Sequence, residues 1–359
     1  MDTSGDDIGA IVPVGSPSRS RRRRVTLSDI AARAGVSVAS VSFALNGAPG
    51  VSEELRQRII LLAKELEFRP NRAARDLQAG TSSTISLLLV DLANPFYPEI
   101  ASGVIAAAAS RNHEVLISQV GVDGENHRKA VLAQIDRGSE GILFTSVVAS
   151  DADLLSELER RGHPFVQIYR EIEEIDGDFV GIDDLTAGTE MGRHVADCGY
   201  RSVAVLGGAK DSSASRNRAF GFITGLDAGG ATVINRDDLW GDLTRASGTA
   251  RSAEILATHP SVDAFVCGND VIAVGVYDTC RNQGLSVPTD VGLTGFDDMS
   301  LSSSGPFQLT TVSVPRHEMG RLAADLLLDR IAGDAGPVRR LILEHELVPR
   351  ETTSALRRD

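Results

Sequence analysis

Two rhythms of apolar residues divide the chain. Between residues 25 and 68 they recur at three- and four-residue intervals, the spacing of one helix face, most clearly in Leu55, Ile59, Leu62, Ala63 and Leu66. From residue 84 they come instead in short continuous runs: TISLLLV, EVLISQV, GILF and PFVQIY, then SVAVLGG, VDAFVCG and VGLTGF. Such runs separated by helix-period stretches predict buried parallel strands alternating with helices on both faces of a sheet. Two successive sets predict two similar lobes, split near residue 183.

The helical segment carries its own start and stop signals. Thr26 is placed to cap a first helix, with Asp29 three residues on as a capping-box partner, and Gly35 can end that helix in the left-handed conformation. Ser37 caps a second helix running from Val38 to about Leu45, whose Val41 and Leu45 share an i, i+4 face directed inward. Ser52 caps a third, with Glu53 and Glu54 suited to its positive N-terminal end. Helix, short turn, helix and a third helix is the helix-turn-helix arrangement, and its second helix fits a DNA major groove. A plain three-helix bundle would show the same periodicity.

Charge separates the two segments further. Residues 19–80 hold 12 Lys/Arg against 6 Asp/Glu, whereas residues 81–359 hold 24 against 40. A basic head on an acidic body directs only the head towards a polyanion. The run SRSRRRR at 18–24 is either a solvated tail or an arm on phosphates. Three scattered cysteines without CxxC spacing argue against a disulfide framework, and seven histidines lack metal-ligand spacing, so no metal or cofactor is expected. No run approaches the roughly 18 apolar residues of a membrane span. The stretch MDTSGDDIGAIVPVGSP has no apolar secretion core, so the expected location is the cytoplasm, and the nucleoid when bound to DNA. The body loops carry no GxGxxG turn, P-loop, GxSxG elbow or HExxH pair, which disfavours an enzyme.

Taken together, VTLSDIAARAGVSVASVSFALNG, VSEELRQRI and LEFRPNRAARDL resemble the DNA-binding head of the LacI/GalR family of bacterial transcription regulators, and the resemblance runs through residues 25–354. It implies an all-α helix-turn-helix head (25–68) and a hinge helix (69–80), between tails at 1–24 and 355–359. It also implies an α/β body (81–354) like a two-lobed periplasmic binding protein, built on two parallel doubly wound sheets. The first lobe is expected to take residues 81–183 plus about 309–333, and the second 184–308 plus about 334–354. By resemblance, base contacts fall to Val38, Ala39 and Phe43, with hydrogen-bond readout left to Ser40, Ser42 and Asn46. Thr26 and Ser37 at the helix starts join them, as do Asn71, Arg72 and Ala74 of the hinge. Leu77 takes the place of the leucine that wedges into the minor groove and kinks the duplex. Phe43 stands where the family often has a guanine-reading arginine; it either offers apolar contact, for instance to a thymine methyl, or packs in the core.

In doubly wound sheets, ligands bind beyond the carboxyl ends of the strands. The loops there include DLANPFYPEI, YREI, SSASRNRAFGF, CGND and TGFDDMS. The resemblance implies that Asn94, Phe96, Tyr97, Arg170, Arg218, Leu243, Asn269 and Asp297 meet a small effector between the lobes. Plainer roles compete for several of them. Asn269 could cap the helix after its strand, Asp297 could cap the next turn, Arg218 could pair with a body carboxylate, and Arg170 could bridge the lobes. Leu243 replaces a frequent ring-stacking aromatic, a role Trp240 could fill.

The expected function is a DNA-binding transcription regulator, a repressor, whose operator affinity is set by a sugar or related polyhydroxy effector. Its partners would be a near-palindromic double-stranded operator and a second copy of the chain. The family's tetramers, where present, use an extra C-terminal heptad helix; ETTSALRRD shows no heptads, so the resemblance implies a dimer rather than a tetramer. The alternative is a solute-binding sensor without DNA, which would share the body and not the basic head.

Overall fold

The computed structural model describes residues 25–68, 82–304 and 307–353, which fall into two compact units. Asn71, Arg72, Ala74 and Leu77, and the hinge helix they were assigned to, lie outside the described residues.

The head forms α1 (Leu27–Ala34), α2 (Val38–Leu45) and α3 (Glu53–Glu65). Each start is a side-chain cap of the kind typically worth about 1 kcal/mol. Thr26 Oγ1 accepts from Asp29 N at 3.3 Å while the Asp29 carboxylate accepts from Thr26 N at 2.8 Å. Ser37 Oγ accepts from Ser40 N at 3.0 Å, and Ser52 Oγ from Leu55 N at 3.3 Å. Gly35, at φ 70°, closes α1. Ile30, Val41 and Ile59, one from each helix, are fully buried and join the three. On α2 the second buried position is Ala44 rather than Leu45, which is half-buried at the rim of the same cluster.

The body begins with β1 (Thr84–Leu89), α4 (Phe96–Ser110), β2 (Glu114–Gln119), α5 (Gly124–Asp136) and β3 (Ile142–Phe144). It continues with α6 (Ala152–Arg160), β4 (Phe165–Ile168) and β5 (Asp178–Ile182). A second set comes next: α7 (Asp184–Asp197), β6 (Ser202–Leu206), α8 (Ser213–Ala228), β7 (Thr232–Val233), α9 (Arg245–Thr258), β8 (Ala264–Cys267), α10 (Asp270–Asn282) and β9 (Gly292–Thr294). The chain returns through β10 (Thr311–Ser313), α11 (Arg316–Ile331), β11 (Arg340–Leu343) and β12 (Glu346–Val348).

One sheet has the order β11-β5-β4-β3-β1-β2 and the other β7-β6-β8-β9, and every pairing in both is parallel. β1 sits inside the first sheet, which is why ISLLL is buried on both faces and apolar except for Ser86, whose hydroxyl donates to Ser139 Oγ at 2.9 Å. The strand β11 departs from the expected lobe boundaries. Residues 334–354 were assigned to the second lobe, yet Leu341 pairs with Val180 on the edge of the first sheet. The cause is topological: α11 packs against β3, β4 and β5, and a strand that follows such a helix over a short connection lies beside the sheet that the helix covers. β12 then turns back antiparallel to β10, with Leu347 opposite Val312. The chain therefore passes between the lobes three times, at β5–α7, β10–α11 and β11–β12.

Candidate functional site

Loops at the carboxyl ends of β1, β4, β6, β7, β8 and β9 converge on a cleft. All eight residues expected around an effector line it: Asn94, Phe96, Tyr97 and Arg170 from the first lobe, and Arg218, Leu243, Asn269 and Asp297 from the second. Tyr169, Ser212, Ala214 and Ser215 also line it and were not foreseen, although they lie within or beside the quoted loops. Phe96 and Tyr97 meet edge-on with centroids 5.3 Å apart, and Phe96 lies 4.6 Å from Tyr169. The aromatic wall is therefore a first-lobe feature, opposed by Leu243 and Ala214. Trp240 does not line the cleft; its ring packs edge-on against Phe220 at 6.4 Å, so it does not supply the missing platform.

Arg218 is buried at the centre of the second-lobe wall. Its Nε and Nη2 donate to Asp184 Oδ1 at 3.0 and 2.8 Å, and its other bonds go to the Gly268 carbonyl and the Tyr169 hydroxyl. The guanidinium lies 3.6 Å from the Phe296 ring centre. Burial pulls its pKa down to about 10, which leaves it charged at neutral pH. Arg218 thus does pair with a body carboxylate, while still facing the cleft. Asp297 Oδ1 stands 3.9 Å from Arg218 Nη1 and accepts from the Tyr169 hydroxyl at 3.4 Å. Burial lifts the Asp297 carboxyl to about 7, against the pull of Arg218 and with a push from Asp270.

Two donors in the cleft are left over. Asn269 Oδ1 caps α10 by accepting from Ile272 N at 2.9 Å, but its buried Nδ2 has no partner among the described residues. Arg170 Nη2 reaches the Tyr97 hydroxyl at 3.5 Å, and its buried Nη1 also has none. Arg170 forms no inter-lobe salt bridge to a described carboxylate. An unpartnered buried donor costs about 1–3 kcal/mol, so the fold retains two groups that a ligand could satisfy.

On the head, Val38 and Phe43 are each 45 % exposed, and Thr26, Ser37, Ala39 and Asn46 are exposed as well. Core packing of Phe43 is excluded; its ring edge faces Gly50 at the rim of α2. Ser40 and Ser42 are half-buried and partly engaged, Ser40 with the Ser37 hydroxyl at 2.9 Å and Ser42 with Asn46 Nδ2 at 3.3 Å. Sequence reasoning missed Arg56. From α3 it donates to the carbonyls of Phe43, Ala44 and Ala48, fixing the C-terminal end of α2.

Among the described residues, no three His, Cys, Asp or Glu gather in a metal-like group, the cysteines are free, and no helix is long and apolar enough to cross a membrane.

A helix-turn-helix unit and a two-lobed body with a polar cleft in one chain define a ligand-responsive DNA-binding regulator. Residues 26–71 match the bacterial regulatory proteins of the lacI family, and residues 193–353 match the periplasmic binding protein-like domain. The HTH-type transcriptional regulator CelR of Thermobifida fusca is 32% identical over 339 residues, 92% of this chain and 99% of the relative. A structure of a CelR–cellobiose complex is similar with a TM-score of 0.69 and 30% identity, covering 92% of this chain and 100% of that one. A lac repressor dimer bound to operator and the anti-inducer ONPF has a TM-score of 0.83 and 25% identity, covering 93% and 100%. The chain belongs to the lacI family of bacterial regulatory proteins. It is a transcription regulator and not an enzyme.

Proposed function

We propose that this regulator is a repressor that acts as a homodimer on a near-palindromic operator, at the nucleoid, and that a sugar or related polyhydroxy compound in the cleft sets its operator affinity. The observation carrying the effector reading is the pair of unpartnered donors, Asn269 Nδ2 and Arg170 Nη1, in a cleft that also presents the Asp297 carboxylate and three aromatic rings. Hydroxyl groups both donate and accept, so adjacent hydroxyls suit such a mixture, while the rings suit the apolar face of a pyranose. A similar regulator, CelR, has been solved in complex with the sugar cellobiose, which supports the same ligand class here.

On the DNA side, Val38, Ala39 and Phe43 would read base edges through apolar contact. Ser40, Ser42 and Asn46 would add hydrogen bonds, and Thr26 and Ser37 backbone contacts. Asn71, Arg72 and Ala74 would follow the groove and Leu77 would wedge it, a role that rests on the family resemblance. One head buries too little surface for high specificity, which is the argument for two heads on two half-sites.

The test joins two measurements on the full-length protein. Fluorescence anisotropy on the promoter DNA of its own gene should show salt-sensitive, specific binding, and a thermal-shift screen of sugars, polyols and nucleosides should identify the compound that raises the melting temperature. That compound should change operator affinity. Specific binding that no stabilising compound alters would end the effector reading, and absence of specific binding would end the repressor reading.

A further inference from the structure

The main chain of the cleft carboxylate is less ordinary than its side chain. Asp297 and Asp298 have φ values of 104° and 50°, a region that side-chain-bearing residues rarely adopt. Backbone of that kind persists where its surroundings over-determine it. Here Arg316, in the first turn of α11 and almost fully buried, donates from Nη1 to the Asp297 carbonyl and from Nη2 to the Asp298 carbonyl at 3.2 Å. Its Nε donates to Glu99 Oε2 at 2.9 Å. Glu99 belongs to the first turn of α4, just after Phe96 and Tyr97 of the aromatic wall. Glycines bring α4 and α11 together: a side chain at Gly103 would overlap the His317 carbonyl, and one at Gly320 the Ile100 carbonyl. Neither Arg316 nor Glu99 lines the cleft. One guanidinium therefore joins the first-lobe helix pair to the turn that aims the second-lobe carboxylate.

We propose that Arg316 is the positioning residue of the cleft and, with Glu99, the link between its two walls: the pair ties the Asp297–Asp298 turn to α4, so that a shift of the aromatic wall is transmitted to the carboxylate. The functional meaning of this link rests on the effector reading above, whereas its existence does not. Arg316 supplies a planar fork able to serve three acceptors at once; lysine, a single ammonium, cannot hold the same arrangement.

Hydrogen–deuterium exchange of the full-length protein without any ligand tests the link. Three amides of the turn are hydrogen-bonded: Asp297 N to the Val312 carbonyl at 2.9 Å, Asp298 N to Thr311 Oγ1 at 3.3 Å, and Met299 N to Asp270 Oδ2 at 2.8 Å. Arg316→Met should speed exchange of these amides and of 96–100 by about tenfold or more, the loss of hydrogen bonds from a charged donor. Arg316→Lys should fall between wild type and Arg316→Met. Glu99→Gln is decisive, because Glu99 is half-exposed and touches none of the 297–299 amides. It should nevertheless speed exchange at 297–299 by about two- to fivefold, the scale of a partly exposed ion pair. An unchanged rate at 297–299 in Glu99→Gln overturns the proposal, as does an Arg316→Met effect confined to 316–320. If Arg316→Met does not fold, Glu99→Gln alone decides. A failed sugar screen would remove the effector reading and leave this result standing.

Discussion

Removing Arg218 should cost the body a large part of its stability before it says anything about ligand. In Arg218→Ala the Asp184 carboxylate, 5 % exposed, loses both N–H donors at 2.8 and 3.0 Å, and the Gly268 carbonyl and the Phe296 ring lose the guanidinium. Breaking a buried ion pair from one side typically costs about 3–5 kcal/mol, because the carboxyl is left in a medium that cannot solvate its charge and, already pushed well up by burial, Asp297 and Asp183, must take up a proton instead. At roughly 2–4 °C per kcal/mol for a domain of this size, the melting temperature should fall by about 10 °C. Scanning calorimetry of the full-length protein measures the shift, with Asp184→Asn/Arg218→Met as the control. That double variant removes both charges and should recover most of the loss, since the penalty belongs to the stranded carboxylate. A single variant melting within about 2 °C of wild type, or a double variant no better than the single, would refute the reasoning. Loss of effector response in Arg218→Ala alone would then mix two causes.

Three further predictions separate ligand contact from folding. Arg170→Met removes a buried guanidinium whose Nη1 has no partner among the described residues and whose Nη2 makes a long 3.5 Å bond to Tyr97, so it should leave the melting temperature unchanged or raised while weakening sugar binding by about tenfold or more in isothermal titration; unaltered affinity would count against Arg170 as a contact. Asp297, held near pKa 7, should make sugar affinity rise from pH 6 to 8 as it ionises, a dependence that Asp297→Asn should abolish. The stability sign is opposite. A carboxyl whose folded pKa lies above its unfolded value stabilises below about pH 4, and that contribution is lost as pH rises through about 7. The melting temperature of Asp297→Asn relative to wild type should therefore climb across this window, and a flat difference would contradict a buried, raised Asp297. Phe43→Arg should change which operator is selected from a randomised pool while leaving the melting temperature unmoved, since the ring is exposed; an unchanged selection would remove Phe43 from the reading face.

How much was legible in the sequence depends on which signals are local. Caps at Thr26, Ser37 and Ser52 were readable because a cap bonds a backbone N–H two or three residues away. All seven apolar runs became strands; for the inner ones the run is unbroken because the strand is buried on both faces, whereas β2, at the sheet edge, is only partly buried. DFVGI, which forms β5, was missed as a strand, its run being short and broken by Gly181. The assignment of β11 to the wrong lobe has another cause: RLIL specifies an extended edge strand, with alternate residues exposed, but not which sheet it will join. Pairings at long range were equally hidden. Asp184 is 34 residues from Arg218 and Glu99 is 217 from Arg316, and nothing local to either arginine names its acceptor. Phe43 stayed ambiguous for the same reason, since its exposure depends on where α3 lies against α2.

The cleft also shows that structural and ligand roles, weighed as alternatives from sequence, need not exclude one another. Asn269 spends its oxygen on the α10 cap and leaves its amide N–H groups free; Arg218 spends its guanidinium on Asp184 and Gly268 and offers the cleft a fixed positive wall. Asp297 gives its carbonyl to Arg316 and keeps its carboxylate for the cavity. The groups that the fold leaves unsatisfied are then a template for the ligand. Acceptor atoms must meet Asn269 Nδ2 and Arg170 Nη1, and a donor must meet Asp297 when it is ionised. A simple anion supplies the acceptors without the donor, and an amine supplies the donor without the acceptors. Neighbouring hydroxyls supply both from the same atoms, which makes polyhydroxy chemistry the reading that satisfies all three groups together.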